Sequence, residues 1–425
     1  MSLDRTISPQ FGAIDHIKLV EPVRVDLPNG CTLFYFNSGG QDLVRIEWIF
    51  NNLPFDSAKP ILNHVTNAMI VEGTNSLDAS QIADKIDYYG AFLHADYGFD
   101  HSQVTMHSLS KHLGEVLSVI KDILTDAIYP ELEVQTFVRN QQQKLQVSLK
   151  KNDVLARRAF NKAVYGNNTY GHSTEIAELQ QLQREDILAH YREMYQPQNC
   201  TIFAAGKIDE NTLALLTETF GTNWENKGAP QLAEPQITPS SEHFIYIDKP
   251  GALQSAIRMG LQTINRTHED FPALQVLNTV LGGYFSSRLM DNIREDKGYT
   301  YGIGSGVSSL KYAGALFIAT EVGADVTADA LKEIEKEIIL LKTELIPDDE
   351  LALVKNYMLG SLLGSLENIF SHADKFKNVY FSGLDYSYYE RYTDVVKSVT
   401  SEQLLELANK YLDLDKMYRV VVGKM

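Results

Sequence analysis

Apolar residues along this chain repeat in two rhythms, and the places where the rhythm changes mark its elements. In "VRVDLPNGCTLFYFN" (23–37) and "DLVRIEWIFNN" (42–52) they alternate or run together over short stretches, as in strands. Asn29-Gly30 between two such runs predicts a hairpin. "HFIYIDKPG" (243–251), "QSAIRMGLQ" (254–262), "SQVTMHSL" (102–109) and "GALFIATEV" (314–322) read as further strands. A spacing of three and four residues predicts helices near 58–72, 78–89, 110–126 and 130–151. A second set is expected near 268–281, 286–296, 326–344 and 348–368.

The pattern occurs twice. "EDILAHYREMYQPQNCTIFAAGKI" (185–208) and "EQLLELANKYLDLDKMYRVVVGKM" (402–425) are each an amphipathic helix, an aromatic turn and an apolar strand ending in Gly-Lys. Glu185 and Glu402, Lys207 and Lys424, and Pro130 and Pro347 are pairs whose numbers all differ by the same amount, 217. Three anchors at one interval indicate an internal duplication. Between the copies, 222–242 is rich in Pro, Ser, Thr and Asn without apolar periodicity, and reads as a flexible linker. The expected architecture is α+β: two homologous domains, 1–221 and 243–425, each a largely antiparallel sheet covered by helices.

Composition narrows the function. The 425 residues carry 55 acidic and 38 basic side chains, a formal charge of −17, which argues against nucleic-acid binding. No apolar run approaches the roughly 20 residues of a membrane span. The stretch 1–20 lacks the apolar core of a secretory signal, so a cytoplasmic location is expected. A removed signal would leave no trace. Cys31 and Cys200 are the only cysteines, too few for a thiolate metal site, and are read as packing residues.

Three segments carry a family resemblance. "NHVTNAMIVEGT" (63–74) is similar to the helix and Gly-Thr turn of an H-x-x-E-H zinc motif. "YGNNTYGHSTEIAELQQL" (165–182) and "LGGYFSSRLMDNIREDKGYTYGIGSG" (281–306) follow the same pattern further along. The chain thus resembles the pitrilysin/insulinase family of zinc peptidases, in its mitochondrial-processing-peptidase-like bacterial branch. That resemblance implies the two-domain processing-peptidase-like metallohydrolase fold.

It does not carry over the metal. In an H-x-x-E-H helix two histidines hold zinc from one face and the glutamate serves as base. Here His64 stands alone, with Asn67 and Ala68 at the base and second-ligand positions. An amide is no base at neutral pH, and a methyl group offers no ligand atom. The family's third ligand is a glutamate on a later helix. Residues 137–152 hold no Asp or Glu, and Lys144 lies where the anion belongs. No metal is therefore expected in this chain. A rebuilt site from His94, Asp96 and His101, with His107 nearby, is the alternative the remaining histidines offer.

What the resemblance does carry over is Arg294 and Tyr301, seven residues apart in "NIREDKGYTYG". In the resembling enzymes this pair holds the substrate carbonyl near the zinc. A guanidinium and a phenol both suit an oxygen gaining negative charge. The alternative is an arginine paired with a local carboxylate such as Asp291 and a tyrosine packed in its strand. Gly298 is expected to end the helix bearing Arg294.

The expectation is a non-catalytic, substrate-binding subunit of a heteromeric zinc peptidase. A sister subunit with intact H-x-x-E-H would supply the zinc, and peptides would add to strand edges near 91–98 and 302–309. The alternatives are an inactive homologue serving as a peptide-binding or scaffold protein, as a homodimer for instance, or a stand-alone peptidase with a rebuilt metal site.

Overall fold

The computed structural model describes residues 17–38, 40 and 42–425. Most of the N-terminal stretch read above for a signal lies outside them. In the first half the order is β1 (Val23–Asp26), β2 (Thr32–Asn37), β3 (Leu43–Asn51), α1 (Leu62–Ala68), α2 (Ala79–Tyr88), β4 (Phe92–Tyr97) and β5 (His101–Leu109). Then come α3 (Leu113–Asp126), α4 (Glu131–Ser148), α5 (Asn152–Tyr165), α6 (Ile176–Gln181), α7 (Arg184–Met194), β6 (Cys200–Gly206) and α8 (Glu210–Thr217).

The second half runs β7 (Phe244–Asp248), β8 (Gln254–Thr263), α9 (Phe271–Asn278), β9 (Thr300–Ser309) and β10 (Gly314–Gly323). It continues through α10 (Thr327–Thr343), α11 (Asp348–Gly364), α12 (Ile369–Tyr380), α13 (Ser387–Ser398), α14 (Ser401–Tyr411) and β11 (Tyr418–Gly423). Helices α4 and α11 start at 131 and 348, α5 and α12 at 152 and 369, and α7 and α14 at 184 and 401. Each pair keeps the interval found in the sequence.

The fold is α+β. One sheet has the order β1-β2-β6-β3-β5-β4, the other β7-β11-β8-β10-β9. Among the described residues only the β2–β6 and β7–β11 pairings are parallel. The hairpin forms as the sequence predicts: Gly30 adopts φ +90 and the amide of Leu27 bonds the carbonyl of Cys31. β4 and β9, the strands predicted near 91–98 and 302–309, are both sheet edges.

Alternation along the strands divides the core. In β3, Val44, Ile46, Trp48 and Phe50 meet the first half's own helices, while Ile49 faces the other way. Both faces of each sheet are therefore covered, and the second cover is exchanged. Helix α5 lays Ala156, Phe160 and Val164 on Ala256, Val420 and Val422 of the second sheet. Helix α12 lays Phe376 and Val379 on Phe34, Phe36 and Phe203 of the first.

Three expectations need correction. The segment 223–243 has no helix or strand, but it is not a loose tether. The amides of Thr238 and Ser240 bond the carbonyls of Tyr165 and Ala163, at 3.2 and 2.8 Å, and the Tyr418 hydroxyl bonds the Ser240 carbonyl. Backbone groups beside a sheet must find partners, and these find them on α5. The helix expected over 58–72 shrinks to Leu62–Ala68. The helix expected over 286–296 becomes a wide turn over Met290–Asp296 in which the Lys297 amide bonds the Asn292 carbonyl five residues back.

Candidate functional site: a degenerate metal cleft and an exposed arginine–tyrosine pair

Helix α1 presents its polar residues in two directions. Asn63 and Asn67 point inward and are spent on structure. The Asn63 side chain exchanges two hydrogen bonds with the backbone of Leu53, each 2.9 Å. Asn67 is fully buried: its Nδ2 donates to the Asp96 carbonyl at 2.8 Å, and its Oδ1 accepts from the Tyr195 hydroxyl at 2.7 Å. A glutamate has no N–H for the first bond, so the amide at the catalytic-base position ties α1 to β4.

His64 points into a cleft of about 310 Å³ walled by α1, α4, α5 and residues 173–179. Its ring packs against Tyr97 at 5.3 Å, and burial lowers its pKa, keeping the imidazole neutral. A neutral imidazole is a metal ligand in waiting, but its neighbours supply no second one. Gln141, Lys144, Arg157 and Arg158 line the cleft, with no Asp or Glu among the lining residues. A divalent cation would face an amide, an ammonium and two guanidinium groups. This donor set does not fit zinc. Ala68 adds only its methyl group.

The histidines of β4 and β5 do not rebuild the site. His94 Nε2 pairs with Asp96 Oδ2 at 2.9 Å, and its ring lies parallel to His107 at 6.3 Å. His101 turns away onto Phe381, with ring centres 4.1 Å apart. Burial first, and the charge of Lys311 second, push its pKa down to about 4. Among the described residues no three His, Cys, Asp or Glu side chains cluster as a metal site. Both cysteines are free and buried, as packing residues are.

The second-half signature is built differently. Its wide turn is braced just ahead of Arg294. Arg288 makes a two-pronged pair with Glu350, and Asn292 Nδ2 donates to Glu333 and Glu337. Wide helical turns recur at functional sites because they re-aim side chains. Arg294 keeps 31% of its side chain exposed, stacks over Phe285 at 4.8 Å and pairs with Glu295 at 3.0 Å, not with Asp291. Nη1, the buried atom of that ion pair, has no other partner among the described residues. Gly298 follows at φ +65, as expected for the residue that releases the chain into β9. Tyr301 is 95% exposed on that edge strand, opposite a register shift in β10. Neither residue lines the His64 cleft. Sequence reasoning missed Arg157 and Arg158, which α5 brings into the cleft.

Two layered halves, a histidine helix and a downstream Arg/Tyr segment mark the processing-peptidase-like fold. Family comparison gives the same class. The insulinase (peptidase family M16) model matches residues 62–178, and the peptidase M16 inactive-domain model matches 181–358. The chain belongs to the M16 family. It is 27% identical over 310 residues to a Bacillus subtilis protein named uncharacterized zinc protease YmxG, covering 72% of this chain and 75% of that one. A Helicobacter pylori protein named non-peptidase homolog YmxG is 22% identical over 363 residues, covering 83% and 82%. A crystal structure titled peptidase M16 inactive domain, from Pseudomonas fluorescens, superposes with a TM-score of 0.87 at 21% identity, covering 95% of this chain and 98% of that one. These matches support an inactive M16 homologue. Among the described residues no helix is long and apolar enough to cross a membrane.

Proposed function

We propose that this chain is the substrate-binding, non-catalytic subunit of a heteromeric zinc peptidase, working in the cytoplasm. It binds no zinc itself. A sister subunit with an intact H-x-x-E-H motif holds the metal and the base, and this chain presents Arg294 and Tyr301 to the peptide carbonyl at that site. The observation that carries the reading is the contrast in investment. The zinc helix has spent its polar groups on packing, whereas Tyr301 stands in solvent and Arg294 sits on a braced turn. A phenol kept 95% exposed contributes nothing to the core and suits a surface where a partner closes.

The test is reconstitution. A sister chain captured from the native host should cleave peptides only when mixed with this one, and metal analysis of the isolated chain should find no stoichiometric zinc. Arg294→Ala should lower turnover of the mixture about a hundredfold without dissociating it. Unchanged turnover would remove the assignment, and chelator-sensitive proteolysis by the isolated chain would remove the whole reading.

A second reading, a peptide-binding scaffold, is favoured by the two open edges of β4 and β9. Extended peptides add to such edges through their backbone. Peptide binding with no sister chain recovered would select it.

A further inference from the structure

The duplication that repeats the strands also repeats the cleft. Beside α11, α12 and α13 lies a second cavity, of about 370 Å³. Its wall uses the positions that wall the His64 cleft, carried forward by the repeat interval: Ser361 for Lys144, Ser365 for Ser148, Lys375 for Arg158 and Asn378 for Asn161. The metal-motif cleft has a history in the family. Its twin has no role in the reading above.

The chemistry of the twin is one-sided. No Asp or Glu lines it, in a chain where acidic residues outnumber basic ones 55 to 38. Arg266 and Lys375 are its cations. Arg266 is held in place, with Nη1 donating to the Asn378 carbonyl at 2.6 Å and Nε to Ser309 Oγ at 3.3 Å. Lys375 is half-buried, and its ammonium makes no ion pair or hydrogen bond among the described residues. The neighbouring Asp374 is already taken by Arg45 and Lys377. Burial lowers the pKa of Lys375. A partly desolvated ammonium without an anion is costly and is ordinarily paired. The hydroxyls of Tyr388 and Tyr392 also lack hydrogen bonds among the described residues, and burial keeps both protonated as donors. Asn278 Oδ1 is buried there without a partner. Val307, Met358 and Leu362 supply apolar wall.

We propose that this cavity binds a small organic carboxylate, with Lys375 and Arg266 taking the anion and the tyrosine and aliphatic wall taking an apolar body. A bare phosphate would satisfy the cations but leave most of the volume and the apolar wall unused. The inference does not depend on the chain's being a peptidase subunit.

Calorimetric titration of the full chain with N-acetyl-L-phenylalanine, its amide and inorganic phosphate tests it. The acid should bind saturably at one site, and the amide at least about tenfold more weakly, since it lacks the charge. Lys375→Met removes only the ammonium, which bonds nothing in the free protein. It should fold normally and bind the acid at least about tenfold more weakly, with Lys375→Arg restoring affinity. No saturable binding of the acid, equal binding of the amide, tighter binding of phosphate, or undiminished binding by a folded Lys375→Met would each overturn the proposal.

Discussion

Helices α5 and α12 occupy equivalent places in the two halves and do the same job in opposite directions, each covering the sheet of the other half. Their contacts differ in kind. No ion pair joins α5 to its adopted sheet among the described residues, and Ala156, Phe160 and Val164 meet an apolar surface of Ala256, Val420 and Val422 with Tyr418 beside them. Under α12 the aromatic contact is interrupted by a charge cluster. Arg45 bridges Glu47 at 3.2 Å and Asp374 at 2.8 Å, and Lys377 bonds Glu47 as well. Glu47 keeps only 4% of its side chain exposed. Duplication thus preserved the exchange of helices but not its chemistry. An apolar contact holds over a wide range of small shifts, whereas a buried ionic one demands a single register. Here we read α5 as the main fastening and α12 as the element whose charges fix orientation.

The largest effect should come from breaking the apolar contact. Phe160 is 3% exposed, so Phe160→Ala should cost about 4 kcal/mol in urea unfolding. A cost below about 1 kcal/mol would mean that α5 is not the main fastening. Glu47→Leu should cost slightly less, about 3 kcal/mol, because it leaves two cations, Arg45 and Lys377, sharing the single carboxylate of Asp374 at a buried contact. Adding Lys377→Met should recover much of that loss. A double variant no better than the single one would show that the ionic cluster is not what sets the cost.

The same contact should respond to acid. His101, packed on Phe381 just past α12, has its pKa pushed from 6.5 to about 4. The neutral form is native, so the unfolded chain binds the extra proton between these values. Its contribution is intact above pH 6.5, fades as pH falls, and is lost by about pH 4, at most about 3 kcal/mol. Lys311 faces the ring and reinforces the direction. His190, also lowered to about 4, adds a slope of the same sign inside the first half alone. His101→Gln should therefore flatten part of the slope and leave the His190 part. An unchanged profile would show that His101 is not the proton acceptor.

Much of this was legible in the sequence, for a definite reason. Strand alternation, the Asn29-Gly30 hairpin and the left-handed Gly298 are local properties, and local pattern predicts them. The emptied zinc motif was legible too, because a missing donor is a fact about a residue and not about its surroundings. The exchange of α5 and α12 was not, since an amphipathic helix states that it covers a sheet but never which one. Nor did the spacing show that Asn67 would be consumed by the distant Tyr195, or that Tyr301 would stand outside the His64 cleft. The second cleft lay within reach, because carrying the repeat interval from Ser148 to Ser365 leads into it.

The smallest effect decides whether the larger ones are specific. Helices α2 and α14, one in each half, start with matching reciprocal caps, Asp78 with Gln81 and Thr400 with Gln403. Neither helix takes part in the exchange. Asp78→Ala removes a side-chain acceptor from the Gln81 amide and a negative charge from a helix start, and should cost about 1 kcal/mol. Thr400→Ala should cost a similar amount or slightly less, because its cap has the same reciprocal pattern with a longer bond, 3.3 against 2.8 Å, and no charge. If both caps behave alike while Phe160→Ala and Glu47→Leu do not, the asymmetry belongs to the exchanged helices and not to the halves that carry them. If the caps themselves differ severalfold, the two halves differ in overall stability, and the contrast between α5 and α12 would have to be measured against that background.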